Sequence, residues 1–180
     1  MPVRASTSTC LRCSAVAPSA AHTSLRSHHH RDNGALPPVG DGNSGCDGGD
    51  QLPALQWLAK QPGICTEVAY PYTSGGGTTG SCKKTCTPFL KIANGVEVPP
   101  HNDTALMTAI ANYPLSVSVD ASDDQIWQLY SGGVVTGKCG TCKSASCLDH
   151  GVGGIGYGTS ATGVDYWQIK NSWGTCVPSA

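Results

Sequence analysis

An α+β fold, with a helical part followed by an antiparallel sheet, is what the sequence predicts, and three observations predict it. Apolar residues recur at helical spacing between Gln51 and Lys60, apolar residues alternate at strand spacing from Pro114 onward, and the texture of the chain changes at Asn43. A chain of 180 residues suffices for one domain or for two small lobes around a shared cleft.

The elements follow in order. Gly45-Cys46-Asp47-Gly48-Gly49 reads as a turn. Behind it Leu52, Leu55, Leu58 and Ala59 recur at helical spacing with Trp57 beside them, and Gln61-Pro62-Gly63 stops the helix. Pro53 lies near the helix start, where its missing N–H does least harm. Tyr70-Pro71-Tyr72 then leads into the Gly75-Gly76-Gly77 loop. Thr104 to Asn112 predicts a short helix with Leu106, Met107 and Ile110 on its apolar side and Asn102 or Asp103 as its cap. Leu115, Val117 and Val119 alternate with Ser116, Ser118 and Asp120, the pattern of a half-buried strand. Val134-Val135, Val152 to Tyr157 and Tyr166-Trp167-Gln168-Ile169 supply further short strands.

Composition narrows the function classes. Charged residues make up 13% of the chain and the net charge is -1, so there is no electrostatic footprint for nucleic acid or an anionic membrane. No run approaches the roughly 18 apolar residues of a membrane helix. Ten cysteines favour an oxidising compartment. Met1 to Ala20 nevertheless lacks the apolar stretch of a secretion leader. Residues 1–45 contain no Phe, Tyr, Trp, Ile, Lys or Glu, and such a segment cannot offset the entropy of ordering its backbone. Residues 1–42 are therefore read as a divergent, disordered tail that includes His28-His29-His30, and residues 43–174 as the folded domain. Residues 175–180 form a second divergent tail. Cys139, Cys142 and Cys147 read as disulfide partners or free thiols rather than zinc ligands, and no metal or other cofactor is expected. Asn102-Asp103-Thr104 is a glycosylation sequon, meaningful in a secreted protein.

Three short strings carry the chemistry: Cys46 to Gly49, Leu148-Asp149-His150-Gly151 and Lys170-Asn171-Ser172-Trp173-Gly174. Taken singly, His150 reads as an ordinary structural histidine and Asn171 to Gly174 as a strand ending in a turn. Taken together, and in this order, they resemble the papain family of cysteine peptidases. Tyr70-Pro71-Tyr72, Gln128-Leu129-Tyr130-Ser131-Gly132-Gly133-Val134 and Tyr166-Trp167-Gln168-Ile169 fall where that family has similar strings, so the resemblance spans Asn43 to Gly174.

The resemblance implies a papain-like α+β fold, with a truncated helical lobe and an antiparallel β-sheet lobe, incomplete at both ends. It implies endopeptidase chemistry, in which a cysteine thiolate attacks the peptide carbonyl and a histidine, matched to His150, protonates the leaving amine. Asn171 would orient the imidazole, and Trp173 would shield their hydrogen bond from water. Gly48 and Gly49 would pair their backbones with an extended substrate, with Asp149 also on the substrate side. The implied partners are peptide or protein substrates and cystatin-type inhibitors, and the implied state is a monomer in a lysosomal or extracellular setting.

The nucleophile string Gln-Gly-x-Cys-Gly-Ser-Cys-Trp-Ala-Phe of that family does not occur, and no glutamine precedes Gln51 to serve an oxyanion hole. Cys10, followed by Ser14-Ala15-Val16, is the first candidate nucleophile and Cys13 the second. Pro18 falls about two turns into the helix that should follow, where proline costs roughly 3 kcal/mol. By the same resemblance Cys46 pairs with a cysteine beside the nucleophile, for which Cys10 is a candidate. Gly40 occupies a bridge-cysteine position, which strands Cys82 or Cys86, and Cys139 is stranded as well. Three readings follow: a papain-like endopeptidase of weak activity, a non-catalytic remnant that binds peptides or inhibitors, and, as a distant third, a cysteine-rich metal-binding module.

Overall fold

The computed structural model describes residues 2–6, 15–18, 43, 46, 48–74, 76–78, 86–121, 127–136 and 148–172. The chain divides into two compact units, one of Met1–Ala15 with Val98–Ala180 and one of Val16–Glu97. The division falls inside residues 43–174, the stretch read from sequence as a domain with a helical lobe and a sheet lobe.

The first unit is built on an antiparallel ladder. Strand β4 (Leu115–Val119) pairs with β6 (His150–Thr159), and β6 pairs with β7 (Asp165–Lys170). Strand β1 (Pro2–Ser6) lies antiparallel to β7 and parallel to β5 (Val134–Val135), giving the order β4-β6-β7-β1-β5. The register puts Leu115 opposite Gly154, Val117 opposite Val152 and Val119 opposite His150. A bulge between Gly154 and Gly156 shifts the β6–β7 pairing, which resumes with Tyr157 opposite Trp167.

Helix α2 (Asp103–Asn112) buries Leu106 and Ile110 and is capped by Asn102, whose Oδ1 accepts the Ala105 N–H at 2.9 Å. Gly154 is glycine because α2 approaches closely: a Cβ there would stand 3.1 Å from both Ile110 Cδ1 and Val117 Cγ2. Leu115, Val117, Val119, Val152, Trp167 and Ile169 are buried. Burial of such side chains contributes about 1.5–3 kcal/mol each.

In the second unit helix α1 (Gln51–Ala59) packs Leu55 and Leu58 with Ile64 and Ile92, and Leu52 and Trp57 lean on the same cluster. Ile64 bridges to Leu90, accepting the Phe89 N–H at 2.8 Å. The adjacent Cys65 is bonded to Cys86, with Cα atoms 6.2 Å apart. Strand β3 (Gly95–Val98) neighbours β2 (Ala15–Pro18).

Several expectations change. β1 and β2 fall in the stretch where the sequence suggested no element, and β3 was also missed. Pairing of β1 is a backbone interaction with β7, to which the apolar content of its side chains gives no clue. β4 is not half-buried: Ser116, on the face read as polar, is 7% exposed, so both faces are covered. Cys86 is not stranded, since Cys65 is its partner. Cys82, Cys139, Cys142 and Cys147 lie outside the described residues.

Candidate active site

His150 opens β6 and Asn171 follows the last residue of β7. The ladder brings these two positions together. Gly153 pairs with Lys170, so one further step sets Asn171 opposite Val152, with His150 two residues along on the same face. Such diagonal neighbours are within reach of long side chains. The His150 Nε2 lies 2.8 Å from Asn171 Oδ1.

The proton positions follow from a second contact. Asn171 Oδ1 also accepts the Ser172 backbone N–H at 2.8 Å. A backbone N–H can only donate, so the amide atom facing it is the oxygen. The ring nitrogen facing that oxygen must then carry the hydrogen, and Nε2 donates. In the neutral ring Nδ1 therefore holds the lone pair and is the atom that takes up or releases a proton.

His150 is only 6% exposed. Burial pushes its pKa below the ordinary value of 6.5, while the Asn171 hydrogen bond and the Asp149 carboxylate pull it partly back. The ring is thus held in its neutral form near pH 7. A thiolate partner, by favouring the imidazolium, would work in the opposite direction.

Asp149 is exposed and spends its carboxylate locally: Oδ1 accepts the Ala121 N–H at 2.8 Å, and its own N–H donates to Val119 O at 3.2 Å. It joins the end of β4 to the start of β6, directly beside His150. The Trp127 indole donates to Asp120 O at 3.1 Å and braces the same corner.

In the second unit the glycine pair is held differently. Gly48 adopts φ +102°, a left-handed conformation in which side chains are strained, and a Cβ there would meet nothing within 4 Å. At Gly49 a Cβ would collide with Asn43 Oδ1. Asn43 is 2% exposed, and its Oδ1 accepts the Asp50 N–H at 2.9 Å, closing the turn that carries both glycines. Gly48 is thus the position with an open flank, and Gly49 is glycine because Asn43 lies against it. Sequence reasoning missed the role of Asn43, because nothing local marks a residue seven positions before the N-cap Asp50 as the acceptor of its N–H. It also missed the Cys65–Cys86 bridge.

Cys10, Cys13 and Trp173 lie outside the described residues. Five residues beyond Cys10, Ala15–Pro18 is strand β2, where the resemblance implied the helix that follows the nucleophile.

The family model described as papain family cysteine protease matches residues 8–177. The chain belongs to the papain family. The match extends past both bounds of the motif-based resemblance and includes the Cys10 position. Curated relatives include a cysteine endopeptidase, Rep1, of Oryza sativa subsp. japonica, 44% identical over 133 residues, which are 74% of this chain and 34% of the relative. Vignain of Ricinus communis is 43% identical over 134 residues, covering 74% of this chain and 35% of vignain. The chain thus spans about a third of the length of these papain-family relatives. Among solved structures, the bromelain protease of Ananas comosus, determined in complex with an inhibitor, aligns with TM-score 0.64 at 32% identity over 83% of this chain and 69% of that one. The proform of the ragweed pollen cysteine protease Amb a 11 aligns with TM-score 0.64 at 38% identity, covering 73% and 38% respectively.

Proposed function

We propose that the chain is a cysteine endopeptidase in which His150 and Asn171 form the proton-handling half of the active site. The observation that carries this reading is the 2.8 Å contact between His150 Nε2 and Asn171 Oδ1, which leaves Nδ1 as the proton-exchanging atom. In the proposed reaction Nδ1 takes the proton of a cysteine thiol, for which Cys10 is the candidate. The thiolate adds to the peptide carbonyl. The imidazolium then returns its proton to the leaving amine, and water releases the acyl group. Asn171 fixes the ring plane throughout, because an amide oxygen accepts the Nε2 hydrogen in both protonation states. The backbones of Gly48 and Gly49 pair with the extended substrate, Trp173 shields the histidine–asparagine bond, and Asp149 positions His150 through the β4–β6 corner. The substrates are peptides or proteins, the inhibitors include cystatin-type proteins, and the working state is a monomer in a lysosomal or extracellular compartment.

A second reading, a non-catalytic remnant that binds peptides, is favoured by one observation. Ala15–Pro18 is extended rather than helical, so a thiolate at Cys10 would lack the helix N-terminus that lowers a thiol pKa. An epoxide or vinyl-sulfone thiol probe separates the two readings. Labelling at Cys10 that disappears in His150→Ala, together with cleavage of a fluorogenic peptide, supports the peptidase. A folded chain that binds peptide but takes no label supports the remnant.

A further inference from the structure

The chain has six asparagines: Asn33, Asn43, Asn94, Asn102, Asn112 and Asn171. Only Asn102 is followed two positions later by Ser or Thr, with a residue other than proline between. Three structural facts bear on that tripeptide. First, Asn102, Asp103 and Thr104 are all exposed. Second, Asn102 lies at φ -124° and ψ 88°, directly after His101, whose φ of 58° is in the left-handed region. Third, the Asn102 side chain divides its two ends: Oδ1 accepts the Ala105 N–H and caps α2, while no acceptor holds Nδ2 among the described residues. Substitution on Nδ2 leaves Oδ1 an acceptor, so the helix cap and a covalent group on the nitrogen are compatible.

We infer that Asn102 is an N-glycan acceptor site. The donor class is a lipid-linked oligosaccharide diphosphate. In the transfer the bond between the sugar C1 and the diphosphate oxygen breaks, and a bond between C1 and Nδ2 forms. The nitrogen gives up one proton, and the lipid diphosphate departs with the electron pair of the broken bond. No oxidant or metal is consumed by the chain itself. The Cys65–Cys86 bridge agrees with this reading, because both modifications belong to the oxidising secretory compartment. The inference rests on the secretory setting proposed above and is independent of the peptidase reading: a chain without a working nucleophile would be glycosylated all the same.

The test is translation of the full chain behind an appended secretion leader in the presence of microsomes. Resistance to added protease identifies the molecules that have reached the lumen. Transfer takes place as the chain emerges, so the readout does not depend on final folding. The expected result is a single upward gel shift of the protected chain, reversed by peptide N-glycosidase, which leaves aspartate at position 102. Thr104→Ala, which keeps the Asn102 cap, and Asn102→Asp, which keeps a capping oxygen, each abolish the shift, and Thr104→Ser retains it. A protected chain that shows no shift overturns the assignment, as does a shift that persists in both Thr104→Ala and Asn102→Asp.

Discussion

His150 and Gly49 are both positions that the motif strings singled out, but different forces hold them. His150 is fixed by the ladder: β4 pairs with its strand on one side, β7 on the other, and the Asp149 carboxylate ties down the corner. Gly49 depends on one buried side chain, Asn43, which both fills the space beside it and closes the turn through Asp50. Redundant backbone pairing should tolerate nearby substitutions that a single-side-chain arrangement does not.

The largest expected effect tests the ladder-held pair directly. His150→Ala should lower kcat/KM for a peptide substrate by about 10²–10⁴-fold. Asn171→Ala should lower it by roughly 10–100-fold, the worth of one hydrogen bond to a charged group, and should also alter the pH profile of the rate. If Asn171→Ala left rate and profile unchanged, the contact would be structural only.

Next comes the bridge of the second unit. Cys65→Ser, or reduction, should cost about 3 kcal/mol by the loop-closure argument for a separation of 21 residues. Hydrogen exchange sharpens the comparison: the Ile64 and Leu90 amides should lose protection while those of Val117 and Ile169 keep theirs.

Gly49→Ala should destabilise the turn by about 1–3 kcal/mol through overpacking against Asn43. The same change in an Asn43→Ala background should cost less, with a coupling of about 0.5–3 kcal/mol in a double-mutant cycle. Strict additivity in chemical denaturation would break the claim that one side chain holds the pair.

The smallest effect is a pH trend. The folded-state pKa of His150 is lowered, so between that value and about 6.5 the unfolded chain binds more protons than the folded one. This contribution to stability is intact above the unfolded value, falls as pH drops through the window and levels off below the folded value. Thermal midpoints of the parent and of His150→Gln, compared from pH 8 to pH 4, should diverge least at the acid end.

How far the sequence reveals this arrangement depends on what each residue does. Helix spacing at Leu52, Leu55 and Leu58 gave α1 to within one residue, and the α2 cap was narrowed to two candidates, of which Asn102 is the one. His150 and Asn171 were paired through ordered motifs, and their contact depends on a register that no local pattern encodes. The polar face of β4 misled, because alternation reports side-chain chemistry and not what covers each face; Ser116 is buried. β1 and β2 escaped notice because main-chain pairing carries them. Asn43 was invisible for a related reason: its work is done on neighbours in space, and its residue type suits any turn.

The placement of β1 has a practical consequence. Strand β7 ends one residue before Asn171, and β1 runs along the flank of β7 that β6 leaves open, from Pro2 opposite Lys170 to Ser6 opposite Tyr166. Trimming those first residues would bare a row of amide and carbonyl groups beside the His150–Asn171 pair, an edge on which a second molecule can dock strand to strand. A shortened recombinant version would thus be expected to self-associate, and inactivity measured on such material would reflect that clumping and say nothing about the chemistry of His150.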